Sequence, residues 1–130
     1  MNGAIAGYNG RMKVLPGLSL PAGAPSLCHW HGLHGSAGAL ALSEAVAADQ
    51  RAWVYVAADA RELERLTSEL RFFAADAFEI LTLPDWEVLP YDVFSPHPDI
   101  VSGRLSTLAR LPDLKHGVLL LTVEGLLSRL

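Results

Sequence analysis

Short apolar runs alternate along this chain with longer stretches in which apolar residues recur every third or fourth position. Ala52–Ala58 (AWVYVAA) is almost continuously apolar, which predicts a short strand buried on both faces. Asp59 and Glu62 follow with capping-box spacing, and Leu63, Leu66, Leu70 and Phe73 then form one apolar helical stripe. Phe78–Leu83 (FEILTL) reads as a second strand. Asp99 is placed to cap a helix with Val101, Leu105, Leu108 and Leu111 on one side, and Pro112 ends it. Gly117–Val123 (GVLLLTV) is the plainest strand, and Glu124–Leu130 opens a further helix. Upstream, Ser26–Trp30 (SLCHW) is a possible strand leading through glycines into helix-forming Ala39–Ala48 (ALALSEAVAA). Strand and helix alternate throughout, so the expected class is α/β, a mainly parallel sheet with right-handed crossovers flanked by helices.

Residues 1–25 are rich in Gly, Pro and Ala without a sustained period, and are expected to be a loosely ordered lead-in with at most a short strand near Met12–Leu15. The α/β domain is then expected over residues 26–130, with its last helix unfinished. Composition narrows the class without altering this layout. Hydrophobic residues make up 51% and charged residues 18%, and the mean hydropathy is +0.27, values of a chain that builds a core. A net charge of −4, with 10 basic residues scattered along the chain, disfavours a self-sufficient nucleic-acid binder. The single cysteine, Cys28, excludes an internal disulfide and suits a reducing cytoplasm. Its apolar neighbours favour a buried thiol over a nucleophile. No run approaches the roughly 18 apolar residues of a membrane span.

His34–Leu40 (HGSAGAL) has the position and glycines of a phosphate-binding loop: Gly35, Ser36 and Gly38 before a helix. In such a loop Lys neutralises the phosphates and Ser or Thr ligates Mg²⁺. Ala39 and Leu40 occupy those two places here, so no cofactor binding is expected. The stretch is either a small-residue turn or a degenerate loop retained from an NTPase; an active NTPase with a non-standard loop is the enzymatic alternative. His29, His31 and His34 suggest a second enzymatic alternative, a small metal-dependent hydrolase. They lack a neighbouring carboxylate, and His97 and His116 would have to join through space, so no metal site is assigned.

The most specific stretch is residues 83–108, LPDWEVLPYDVFSPHPDIVSGRLSTL. Asp85-Trp86-Glu87, Leu89-Pro90-Tyr91-Asp92, Phe94-Ser95-Pro96-His97, Asp99-Ile100 and Ser102 with Arg104-Leu105 resemble a signature of the bacterial transcription-repair coupling factors. The resemblance covers about residues 30–130, weak before residue 50 and strong after residue 83. It implies an N-terminal position within a module similar to UvrB, whose working phosphate loop these factors have lost. It further implies that the full-length protein is an ATP-dependent DNA translocase that displaces stalled RNA polymerase and recruits UvrA for nucleotide excision repair. ATP and Mg, DNA and RNA polymerase would be handled by domains outside this chain, as would most of the UvrA contact. The chain itself would then be architectural and non-catalytic. Two roles are open for Asp85, Trp86, Pro90, Tyr91, Phe94, His97, Asp99 and Arg104: a docking surface, or a proline-stiffened loop packed on the sheet. In the second, Arg104 pairs with Asp85, Asp92 or Asp99. Packing is favoured because aromatic rings bury large areas, and the acidic surroundings disfavour a DNA phosphate at Arg104.

Overall fold

The computed structural model describes residues 30–86 and 97–127. The expected strands at Met12–Leu15 and Ser26–Trp30, with Cys28, His29, Pro90, Tyr91 and Phe94, lie wholly or mainly outside those residues. Among the described residues three strands form one parallel sheet: β1 (Ala52–Ala57), β2 (Glu79–Thr82) and β3 (Gly117–Thr122), in the order β1-β3-β2. Val54 lies opposite Leu119 and Val56 opposite Leu121, while Leu81 flanks Leu119 on the other side. The expected α/β class with a parallel sheet is therefore the one observed.

Helices cover both faces. α1 (Ala37–Ala48) and α2 (Ala60–Ala74) pack on the front, where Leu42, Val46, Leu66 and Leu70 meet Ala57, Val118 and Leu120. α3 (Pro98–Arg110) and the 3₁₀ turn Leu111–Asp113 lie behind, where Leu108 and Leu111 close over Leu81, Leu83, Leu119 and Leu121. A short α4 (Val123–Leu127) follows β3 directly. β3 is buried along its whole length because it is central and covered on both sides. Among the described residues the edge strands are β1 and β2.

Three further expectations need correction. β1 is not buried on both faces: its exposure alternates, with Val54 61% and Val56 41% exposed, because α3 covers β2 and β3 but leaves the back of β1 open. The buried side of α3 is also rotated from the apolar count. Arg104 and Thr107 are buried while Leu105 is 63% exposed, because both polar side chains find partners on β2 and the loop after it. Asp99 is not the cap of α3. His97 is, its Nδ1 accepting from the Asp99 N–H at 3.3 Å, since Pro98 takes the first helical position, where a missing N–H costs nothing.

One glycine is dictated by packing. A Cβ on Gly117 would lie 2.3 Å from the Glu79 carbonyl oxygen, across the β2–β3 pairing, so only glycine admits this approach. Among the described residues no helix is long and apolar enough to cross a membrane.

Candidate functional site

Two clusters hold the residues singled out from the sequence. The first is the glycine loop. Gly35 adopts a left-handed conformation (φ 56°), and the Ala37 N–H closes a turn onto the His34 carbonyl at 3.1 Å before α1 begins. Ser36 stands at the N-cap, but its side chain caps nothing; its hydroxyl donates instead to Glu69 on α2 at 3.1 Å. Arg65 binds the same Glu69 carboxylate at 3.2 Å. Ala39 is buried, packed among Leu42, Leu63 and Leu66, and Leu40 is half-buried on the helix. The loop thus ties α1 to α2 through Glu69 and directs small residues inward.

A cleft of about 480 Å³ opens beside this loop, between α1, α2 and β1. Trp30, Leu33, Trp53, Tyr55 and Leu66 give it an apolar lining, with Glu62 and Arg65 at its polar side. Glu62 is fully engaged: one carboxylate oxygen accepts from the Tyr55 hydroxyl at 2.9 Å and the other from the Ala58 N–H at 2.8 Å. Asp59 accepts from the Glu62 N–H at 2.8 Å, as the capping-box spacing predicts. The box is shifted by one residue on its return side, because Glu62 reaches Ala58 and not the N-cap itself. Burial, aided by the Glu62 carboxylate, pushes the Tyr55 phenol up to about 12. The Tyr55–Glu62 bond was not anticipated from sequence; the only available signal was the apolar strand leading straight into an acidic cap.

The second cluster assembles the described part of the aromatic–proline signature. Arg104 is 2% exposed; its Nη1 donates to the Pro84 carbonyl at 2.6 Å, and its guanidinium lies 4.4 Å from the Trp86 ring centre. Desolvation lowers its pKa and the nearby Asp85 opposes that shift, yet a guanidinium remains charged. Of the three acidic partners expected for Arg104, Asp92 lies outside the described residues, and the other two are engaged elsewhere. Asp85 is beside Arg104 but accepts a hydrogen bond from Thr122, and Asp99 is approached by His97 at 3.4 Å. Thr122 in turn accepts from the Gly125 N–H at 2.9 Å, so the cluster links the end of β2, α3, the end of β3 and α4. A Cβ at Gly125 would stand 2.8 Å from Asp85 Oδ1, which explains a glycine inside α4.

The described histidines do not converge. His116 Nε2 lies 2.9 Å from the Val46 carbonyl, which can only accept, so that nitrogen carries the proton. Among the described residues no group of three or more His, Cys, Asp or Glu side chains is arranged to hold a metal ion.

The structure therefore defines a class: a doubly wound parallel α/β unit with a glycine turn at its first described helix and an internally clamped loop after its second strand. No family model matches the chain. Curated relatives do. Over 94 residues, 72% of this chain, it is 43% identical to the transcription-repair-coupling factor of Haemophilus influenzae. It is 46% identical over 76 residues to that of Escherichia coli, and 40% identical over 79 residues to that of Mycobacterium tuberculosis. The matched stretch spans 8% of the Haemophilus protein and 6% of the other two. The resemblance drawn from the signature residues is thus borne out: this chain is homologous to a short segment of the transcription-repair-coupling factors.

Proposed function

We propose that this chain is a non-catalytic, architectural part of a transcription-repair coupling factor, and that its glycine loop is a degenerate phosphate loop which binds no nucleotide. The observation that carries the second half is the chemistry of the loop and cleft. The place of a phosphate-binding lysine is taken by Ala39, which is 1% exposed and packed in the core. Ser36 is held by Glu69, the cleft's Arg65 is held by the same carboxylate, and Glu62 adds a negative charge where phosphates would need a positive one. The homology supports the first half. In this reading the module is similar to the nucleotide domain of UvrB, its position is N-terminal, and the protein is cytoplasmic. ATP hydrolysis with Mg, DNA translocation and RNA polymerase displacement belong to other domains, and UvrA is recruited mainly through residues beyond this chain.

Calorimetric titration of the chain with ATP and Mg²⁺ tests the loop directly. No heat of binding is expected, and micromolar affinity would refute the degenerate-loop reading.

A further inference from the structure

Pro84, Asp85 and Trp86 are consecutive in the chain, yet they are held from two sides. α3 holds the outer two: the Arg104 guanidinium donates to the Pro84 carbonyl at 2.6 Å and lies 4.4 Å from the Trp86 ring centre. The end of β3 holds the middle one, where Asp85 accepts a hydrogen bond from the Thr122 hydroxyl. Neighbouring Cα atoms are fixed about 3.8 Å apart, so a backbone movement that lifts Trp86 off the guanidinium is carried to Asp85.

Asp85 in turn bears on the start of α4. A hydroxyl has one proton to donate and lone pairs with which to accept. The carboxylate takes the Thr122 proton, which leaves the oxygen's lone pairs for the Gly125 N–H, bound at 2.9 Å. That N–H is among the amides at a helix start that the helix itself leaves unpaired. α4 follows β3 with no loop between them, so Thr122 is the residue that caps it. The three groups fit closely, since a Cβ at Gly125 would stand 2.8 Å from Asp85 Oδ1 and 3.3 Å from Thr122 Oγ1.

We propose that Asp85 is a latch, through which the hold of Arg104 on residues 84–86 and the capping of α4 form and break together. Lifting Trp86 from Arg104 releases Thr122 and frays α4. Loss of the cap loosens Trp86 in return, because coupling between two sites is reciprocal. The loop after β2 thereby acts on the chain that leaves the central strand, 37 residues further along. None of these residues belongs to the glycine loop, so the latch does not depend on nucleotide chemistry there.

The test uses the full 130-residue chain, with amide hydrogen exchange followed residue by residue. The Gly125 amide reports α4, and the Asp49 amide, bonded to the Ala45 carbonyl at the end of α1, reports local opening away from the latch. Trp86→Leu acts only at the Arg104 end. Gly125 is expected to exchange about fivefold faster or more, with Asp49 unchanged. Arg104→Lys, which loses the planar fork, is expected to do the same and stands in if Trp86→Leu unfolds the chain. In the reverse direction, Thr122→Val should move the Arg104 side-chain protons away from the ring-current shift that Trp86 imposes. Thr122→Ser keeps the hydroxyl and should leave that shift in place. The latch is ruled out if Gly125 keeps its parent rate, if it speeds up only in step with Asp49, or if Thr122→Val leaves the Arg104 shifts unchanged.

Discussion

At the scale of single residues, the two clusters make separable predictions. The Tyr55 phenol is raised to about 12 in the folded chain, against about 10 for the free side chain. The folded state therefore holds this proton more tightly than the unfolded state. The stabilisation is fully present below pH ~10 and is lost as pH rises toward ~12. Tyr55→Phe should flatten that part of the alkaline stability profile, as followed by urea unfolding at successive pH values. An unchanged profile would show that the folded chain does not hold the phenol proton more tightly than the unfolded one. For the second cluster, the stacking of Arg104 on Trp86 should appear as coupling. In a double-mutant cycle with Arg104→Lys and Trp86→Leu, a coupling energy of about 0.5–2 kcal/mol is expected. Lysine keeps the charge but lacks the planar fork that both stacks on the ring and reaches the Pro84 carbonyl. Strict additivity would mean that the contact contributes nothing.

At the scale of elements, α2 is the most legible and α3 the least. The Asp59 cap and the Leu63, Leu66, Leu70 stripe follow from residue type and spacing, and all of them do in the fold what the pattern implies. Asp59→Ala should cost about 1 kcal/mol in denaturant unfolding, the usual loss for a side-chain N-cap. The other end of α2 was not legible. Ala75 and Asp76 both adopt positive φ, 44° and 63°, with no glycine to mark the turn. Replacing Ala75 by Gly should relieve that conformation and stabilise the chain by roughly 0.5–1 kcal/mol, offset in part by glycine's greater freedom when unfolded. Loss of stability would show that the turn is held by something other than backbone preference. α3 was misread because a periodicity count considers apolar residues alone. Its inner face is instead set by Arg104 and Thr107, whose partners lie far back in the chain at Pro84 and Thr82. No local pattern reports a buried guanidinium held by a distant carbonyl and a ring.

At the scale of the whole molecule, the α/β class was legible because two periods alternate, whereas the strand order was not. The difference between β1 and β3 illustrates why. Both are nearly continuous apolar runs, and both read as strands buried on two faces. Burial depends on lateral position: among the described residues β3 is central, while β1 is an edge strand whose back-facing Val54 and Val56 stay exposed. Leu119 and Val54 expose this contrast, since they are register partners on the same back face and 8% and 61% exposed. Leu119→Ala removes a side chain packed under α3 and should cost about 2–4 kcal/mol. Val54→Ala, one strand away, should change stability by no more than about 0.5 kcal/mol. Strand propensity alone would penalise the two substitutions similarly, so the difference between them isolates coverage by α3. A cost at Val54 approaching that at Leu119 would mean that the back of β1 is covered in the folded chain.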